Sequence, residues 1–180
     1  MRAASTEGAG MHFVFMGISG SGKTTVARGV AERLGLPFAD ADDFHPAANI
    51  AKMSNGIPLT DADRLPWLRT LAAWLGERER HGESSVLACS ALRRSYRDIL
   101  RGGAPGVFFV HLHGSADLIA ERLRSRRGHF MPAGLLDSQL SALEPLEPDE
   151  AGTMLDVADS PEVLVEKAAQ LASSALAADG

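Results

Sequence analysis

The sequence predicts an α/β fold in which helices cover both faces of a five-stranded parallel sheet. Short, mostly apolar runs alternate along the chain with longer stretches whose apolar residues recur at helical spacing. A strand, a helix and a second strand in succession form a right-handed crossover, which makes the strands parallel and buries the sheet between helices. The 180 residues are enough for one such domain.

Five short runs are the predicted strands, and they are rich in residues that suit a buried sheet. In an open parallel sheet, ligands bind outside the carboxyl ends of the strands. Residues that directly follow a strand are therefore the first candidates for a functional site. The predicted strands are His12–Met16, Pro37–Asp40, Ser85–Ala88, Val107–His111 and Thr153–Val157.

The stretches between these runs predict helices, several of which carry start signals. Asp43 and Pro46 favour the start of a helix that ends near Met53. Pro66 favours the start of a longer helix, and Ser115 is a predicted N-cap. Further helices are predicted over residues 23–34, 93–101, 115–125, 136–143 and 164–175.

Composition narrows the functional class. The formal net charge is −5, which disfavours nucleic-acid binding, since neutralising phosphates needs a basic surface. Cys89 is the lone cysteine, as expected in a reducing compartment, and no apolar run is long enough for a membrane helix. We expect a cytoplasmic protein with a flexible tail over residues 1–10 and a single domain over residues 11–180.

A glycine-rich segment directly follows the first predicted strand. Gly17–Thr24 matches the pattern G-x-x-x-x-G-K-[ST] at every fixed position, between a strand and a helix as its mechanism requires. Such a P-loop binds phosphates through backbone N–H groups and the positive end of the helix. Lys23 would reach the β- and γ-phosphates of ATP, and the Thr24 hydroxyl would ligate Mg²⁺. The predicted nucleotide-binding residues are Gly17, Ser19, Gly20, Ser21, Gly22, Lys23, Thr24 and Thr25, the last with helix packing as its alternative role.

Three aspartates lie at or just after the end of the second predicted strand. Phosphoryl transfer to a hydroxyl needs a carboxylate that accepts the hydroxyl proton, and Asp42 is the candidate base. Asp40 is the candidate that holds the waters of Mg²⁺, because no aspartate ends the third strand. The alternative is that these residues only cap the next helix, which is the role expected for Asp43.

A basic segment near residue 126 predicts a mobile lid over about residues 122–137. Arg122 and Arg126 lie four residues apart on one helical face, and glycines at 128 and 134 bracket the turn that follows. A flexible arginine-bearing loop that closes over phosphates excludes water and stabilises charge. We expect Arg126 to contact the γ-phosphate as a catalytic residue and Arg122 to contact the nucleotide. An RNA-binding tip is the alternative.

Three blocks of the sequence resemble the thermoresistant gluconokinases. The first contains the patterns HP-x-x-NI-x-KM, from His45 to Met53, and D-x-DR-x-PWL, from Asp61 to Leu68; the others lie at residues 89–98 and 126–130. The resemblance spans nearly the whole chain from Phe13. It implies a nucleoside-kinase-like P-loop kinase fold, a homodimer, and ATP- and Mg²⁺-dependent phosphorylation of the 6-hydroxyl of D-gluconate in gluconate catabolism.

Gluconate carries a carboxylate and a row of hydroxyls, so its site needs a cation and short polar groups. The basic candidates could instead be ordinary surface charges, and His45 could merely cap a helix. Arg93 stands where many family members have lysine, which replaces a point charge by a planar fork. The predicted substrate-binding residues are Asp42, His45, Lys52, Arg64, Arg93 and Gln139.

Several features are interpreted as structural, and two other functions remain open. Arg97 is assigned to an internal packing unit, His111 and His113 share a strand face without further ligands, and Cys89 is a buried thiol. The alternatives are a kinase for another small acid such as shikimate, and a non-catalytic ATP sensor. The HP-x-x-NI-x-KM run is unlike shikimate kinases, and only the sensor would lack acceptor-dependent turnover.

Overall fold

The computed structural model describes residues 10–125 and 133–178. Its strands are β1 (His12–Met16), β2 (Phe38–Asp40), β3 (Ser85–Ala88), β4 (Val107–His113) and β5 (Gly152–Asp156). They form one parallel sheet in the order β2-β3-β1-β4-β5. The five predicted strands and their parallel pairing are confirmed.

Helices connect the strands and cover both faces of the sheet. A 3₁₀ helix, Ala41–Phe44, follows β2. The α-helices are α1 (Lys23–Leu34), α2 (Ala47–Ser54), α3 (Asp61–Arg80), α4 (Arg94–Gly103), α5 (Ala116–Ser125), α6 (Ala133–Ala142) and α7 (Pro161–Ala178). In the part of the chain that the structure describes, no helix is long and apolar enough to span a membrane.

Strand β1 lies in the middle of the sheet and shows how the two cores arise. Its side chains alternate, so that Phe13 and Phe15 face the core under α1, α5 and α7. Val14 and Met16 face the second core, under α3 and α4. All four side chains have no solvent exposure. Because β1 is central and fully buried, it gives the loop that follows it a fixed starting point.

One predicted helix start and one predicted cap are wrong, whereas Pro46 is the N-cap of α2 and its predicted start signal is confirmed. Helix α3 begins at Asp61 rather than at Pro66, because Thr60 and Asp63 form a capping box that satisfies the first N–H groups. Pro66 therefore lies inside the helix, where its ring removes one intrahelical hydrogen bond. Asp43 is not a cap either, since it lies within the 3₁₀ helix, whose N-cap is Asp40.

A buried ion pair fastens α4 to the segment that leads into β5. The Arg97 and Glu150 side chains are both fully buried and are 2.8 Å apart at their nearest atoms. Arg97 also donates hydrogen bonds to the carbonyl oxygens of Ala91, Leu92 and Glu144. This buried position agrees with the assignment of Arg97 to an internal packing unit. Its hydrogen bonds to Ala91 and Leu92 also fix the loop that precedes α4.

Candidate functional site

A cavity of about 460 Å³ opens at the carboxyl ends of β1, β2 and β3. The phosphate loop forms one wall, the segment after β2 another, and α3, α4 and α6 contribute side chains. A cavity of this size suits a small polar molecule. Its polar lining residues are Ser19, Lys23, Thr24, Asp40, Asp42, His45, Arg64, Ser90, Tyr96, Ser138 and Gln139.

The phosphate loop has the backbone conformation that its glycines predict. Gly20 and Gly22 have φ angles of 84° and 91°, which other residues rarely adopt. A Cβ at Gly20 would also lie 2.7 Å from the Leu123 side chain. Gly22 is the N-cap of α1, whose first turn carries no acidic residue, so the positive end of this helix faces the loop.

Two side chains of the loop add to this anion-binding character. The Lys23 ammonium donates to the carbonyl oxygen of Ile18 over 3.2 Å, which holds it across the loop. The Ser21 hydroxyl is buried and has no hydrogen-bond partner among the described residues. Unpaired buried hydroxyls are uncommon, and a phosphate oxygen is one group that would satisfy this one. The loop therefore fits a phosphate chain.

Asp40 connects the phosphate loop to the segment after β2. One of its carboxylate oxygens accepts a hydrogen bond from the Thr24 hydroxyl at 2.9 Å, and the other accepts from the backbone N–H of Asp42 at 3.0 Å. Hydroxyl and carboxylate oxygens are the ligands that Mg²⁺ prefers. Within the described ranges there is no group of three or more His, Cys, Asp or Glu that could hold a metal ion alone. The pair fits an ion that keeps waters and phosphate oxygens as its other ligands.

Asp42 reaches the cavity from the 3₁₀ helix. It is open to solvent on the cavity side, but the cavity walls still desolvate it partially, and this raises the pKa of its carboxyl above 3.8. The neighbouring Asp40 carboxylate raises the pKa further, whereas Lys23 lowers it. A carboxylate with a raised pKa that shares a cavity with a phosphate loop is a good proton acceptor.

His45 is fixed beside Asp42 by stacking. Its ring lies parallel to the Trp67 indole with the ring centroids 4.2 Å apart, and the Trp67 N–H donates to the carbonyl oxygen of Ala41. The Asn49 amide lies 3.3 Å from His45 Nδ1. Burial lowers the pKa of His45 and favours the neutral ring. A neutral imidazole can both donate and accept a hydrogen bond, as a substrate hydroxyl requires.

Arg64 is the predicted substrate cation that lines the cavity. Its guanidinium lies over the Tyr96 ring and donates to the Tyr96 hydroxyl at 3.2 Å. The Tyr96 hydroxyl in turn donates to Asp61, which lies 3.9 Å from Arg64 and 3.7 Å from Arg93. Asp61 thus partly offsets two positive charges near the cavity.

Lys52 and Arg93 are not among the described residues that line the cavity. The Lys52 ammonium is 2.7 Å from the Asp63 carboxylate, and this hydrogen bond, together with the one from the Thr60 N–H, lowers the pKa of Asp63 to about 2. The structure therefore groups both cations with aspartates of the first turn of α3. Sequence reasoning missed Asp61, Asp63 and Tyr96; the spacing of Arg93 and Tyr96 on one helical face was the available signal.

Gln139 lies against the phosphate loop. Its carboxamide accepts a hydrogen bond from the Ser19 backbone N–H at 2.7 Å and donates one to the Ser19 hydroxyl at 3.0 Å. Both residues line the cavity. The predicted substrate residue is thus a direct partner of the predicted nucleotide loop.

A second cavity of about 250 Å³ lies on the other side of the phosphate loop. Thr25 and Arg122 line it, together with Ser125 and Pro161. The Arg122 guanidinium donates to the carbonyl oxygen of Val157. Five predicted nucleotide-binding residues line this second cavity: Gly20, Ser21, Gly22, Thr25 and Arg122. Residues 126–132 of the predicted lid, including Arg126, lie outside the described residues.

The positions of Cys89, His111 and His113 agree with the structural roles that the sequence predicts for them. Cys89 lines the cavity floor but is buried, and burial raises the pKa of its thiol to about 12. The thiol is therefore a poor nucleophile. The His111 and His113 rings lie on the same face with their centroids 6.0 Å apart. Burial lowers the pKa of His111 to about 4, so its ring is neutral at physiological pH.

Comparisons with known proteins agree with this arrangement. The AAA domain family matches residues 13–146. A gluconokinase of Gluconobacter oxydans is 51% identical over 86% of each chain, and the thermoresistant gluconokinase of Escherichia coli is 42% identical over 83% of this chain and 85% of its own. The crystal structure of a gluconokinase from Sinorhizobium meliloti is 48% identical, covers 92% of this chain and 95% of its own, and superposes with a TM-score of 0.80. The P-loop, the cavity beside it and these relatives together show that the chain belongs to the gluconokinase family.

Proposed function

We propose that this protein is a gluconokinase that transfers the γ-phosphoryl group of ATP to the 6-hydroxyl of D-gluconate, giving 6-phospho-D-gluconate and ADP. The observation that carries the proposal is one cavity in which a phosphate loop, a carboxylate of raised pKa and an arginine meet. Family membership supports the same reaction. The products would feed sugar-acid catabolism through the pentose phosphate pathway.

Asp42 is the proposed base. It follows β2 at the cavity, beside Lys23, so an acceptor hydroxyl between them would face both the carboxylate and the phosphate loop. The carboxylate would orient this hydroxyl and accept its proton as the phosphoryl group is transferred. The 3₁₀ helix keeps Asp42 in place because Asp40 caps it.

The phosphate loop and α1 would hold the triphosphate, with Lys23 on its β- and γ-phosphates. Thr24 and Asp40 are the groups that would hold Mg²⁺, Asp40 through the waters of the ion. Mg²⁺ supplies charge neutralisation on the phosphate oxygens when it is bound. The second cavity, with Thr25 and Arg122, is the proposed site for the nucleoside part of ATP.

Gluconate would lie in the larger cavity with its carboxylate near Arg64, since an arginine fork matches a carboxylate. His45 and Tyr96 present a ring nitrogen and a hydroxyl to its hydroxyl groups. Lys52 and Arg93 would act indirectly, by offsetting the negative charges of Asp63 and Asp61 near the bound gluconate. Gln139 would lie between gluconate and the phosphate loop, where it accepts a hydrogen bond from the Ser19 backbone N–H.

The remaining proposals concern the whole protein. We propose that it works in the cytoplasm as a homodimer, and that residues 122–137, with Arg126 on the γ-phosphate, close over the nucleotide. The support for the lid is the arginine content and glycine positions of the sequence.

The test is coupled ADP release with ATP and Mg²⁺ across D-gluconate, shikimate, glucose and no acceptor. Turnover that depends on D-gluconate is the expected result, and Lys23→Met should abolish it. Turnover with shikimate alone would favour the other small-acid kinase. ADP release that no acceptor stimulates, in a protein that binds ATP, would contradict the proposal and favour an ATP sensor.

A further inference from the structure

Ser19 and Gln139 form a pair of hydrogen bonds between elements that are 120 residues apart in the chain. Ser19 belongs to the phosphate loop, and Gln139 lies on α6. Both side chains are half-buried and face the larger cavity. A side chain that makes two hydrogen bonds to a single residue of the phosphate loop fixes both the backbone and the hydroxyl of that residue.

The direction of both hydrogen bonds follows from the chemistry of the groups. A backbone N–H can only donate, so the Gln139 oxygen must face the Ser19 nitrogen at 2.7 Å. The Gln139 amide nitrogen is then left to face the Ser19 hydroxyl oxygen at 3.0 Å, and an amide NH₂ can only donate. The Ser19 oxygen is therefore an acceptor in this contact, and its own proton must point elsewhere.

Two consequences follow for phosphate binding at this position. The Ser19 backbone N–H is already bonded to Gln139, so it does not contribute to the ring of N–H groups that face a phosphate. The Ser19 hydroxyl proton, in contrast, is kept available for an acceptor in the cavity, next to Gly20 and Lys23 of the loop. The acceptor chemistry expected at a phosphate loop is a phosphoryl oxygen.

We infer that the Ser19 hydroxyl donates a hydrogen bond to the phosphoryl group that is transferred, and that Gln139 is a positioning residue that keeps the hydroxyl proton in this direction. The inference rests on the proposed function, because it requires a transferable γ-phosphoryl group in the cavity. Charge spreads over the phosphoryl oxygens in the transition state, so a fixed donor stabilises it. The inferred contact is to the γ-phosphoryl group, so its loss should affect ATP and spare ADP.

The experiment compares Ser19→Ala, Ser19→Thr, Gln139→Met and the double variant Ser19→Ala with Gln139→Met. Ser141→Ala, an exposed change on the same helix, is the matched control. For each protein kcat, KM for gluconate, and Kd for ADP and for a non-hydrolysable ATP analogue are measured. A hydrogen bond to a charged group corresponds to a loss of about 10- to 100-fold.

Ser19→Ala should lower kcat by about 10- to 100-fold and weaken the binding of the ATP analogue. The Kd for ADP should change by less than about twofold. Gln139→Met should behave in the same way, and Ser19→Thr should retain most activity. The double variant should lose no more than the worse single variant, because both act through one hydroxyl. Independent, additive losses would overturn the inference.

A purely structural role of Ser19 and Gln139 gives a different pattern. A distorted loop would weaken the binding of ADP and of the ATP analogue equally. Equal losses, or an unchanged kcat in Ser19→Ala, would also overturn the inference. Failure of the proposed function is recognised separately, by wild-type protein without gluconate-dependent turnover. In that case the difference between ADP and ATP-analogue affinities still tests the Ser19 contact, because it needs no acceptor.

Discussion

Asp40 uses both oxygens of one carboxylate to organise the proposed reaction centre. It accepts from the Thr24 hydroxyl on the nucleotide side and from the Asp42 backbone N–H on the acceptor side. Its charge also raises the pKa of Asp42. A single side chain at the end of β2 therefore fixes the backbone of the proposed base, adds to the effect of burial on its pKa, and belongs to the proposed metal site.

Replacement of the proposed base should separate binding from transfer. Asp42→Asn keeps the size and the backbone hydrogen bond to Asp40 but cannot accept a proton, so we expect kcat to fall by about 100-fold or more. ATP binding, measured by calorimetry, should change little. Asp43→Asn, on the same 3₁₀ helix, is the matched control and should keep wild-type activity. Full activity of Asp42→Asn would refute the assignment.

The raised pKa of Asp42 makes a separate prediction about pH. Burial and Asp40 both disfavour the charged form, so the carboxyl should take up its proton above pH 3.8, and activity should fall on the acid side as the base is lost. Carbon-13 NMR titration of the nucleotide-free protein measures the midpoint. Asp40→Asn should lower this midpoint by more than Asp43→Asn does, because Asp40 is the stronger influence. No shift in Asp40→Asn would contradict the electrostatic explanation.

At the scale of the elements, α4 connects the cavity to the core. The exposed Arg93 is its N-cap, and Tyr96 faces the cavity, whereas Arg97 is fully buried against Glu150. Burial alone would raise the pKa of Glu150, but its hydrogen bonds with Arg97, with the Glu147 backbone N–H and with Arg101 lower it to about 2. The ion pair also supports Ala91, whose φ of 43° is unusual for a residue other than glycine.

Removing one partner of this ion pair should destabilise the whole domain. Arg97→Met leaves the Glu150 carboxylate buried without its main partner, and we expect a loss of about 3–5 kcal/mol in the free energy of unfolding. Urea denaturation measures it. Arg33→Met, an exposed change on α1, is the control and should stay within about 0.5 kcal/mol. A double variant that also carries Glu150→Leu should recover part of the loss; a loss below about 1 kcal/mol in Arg97→Met would contradict the prediction.

The elements also show how far the sequence could be interpreted. Strands were predicted to within two residues at each end, because buried parallel strands are short apolar runs between clear breaks. Helix starts were harder to predict. Pro66 is typical of a first helical residue, but α3 begins earlier, at the Thr60–Asp63 capping box, which is a weaker signal in the sequence. The ion pair between Lys52 and Asp63 could not be predicted, because it depends on how α2 and α3 pack.

At the scale of the whole molecule, the phosphate loop separates two cavities. The larger cavity holds Asp42 and Arg64, and the smaller one holds Thr25 and Arg122. Only Gly20 and Gly22 occur among the described lining residues of both. The architecture therefore places the proposed acceptor and the proposed nucleoside on opposite sides of one loop, with the phosphates as the connection between them.

This separation predicts that the binding of gluconate and the binding of nucleotide can each be weakened without affecting the other. A ligand at about 100 times its Kd stabilises the folded protein by about 2.7 kcal/mol, which appears as a rise in Tm. Arg64→Ala should lose most of the rise caused by gluconate and keep the rise caused by ADP. Arg122→Ala should show the reverse, since its side chain lines only the smaller of the two cavities. If Arg64→Ala lost both responses, its effect would be on the fold as a whole, and the assignment of the larger cavity to gluconate would fail.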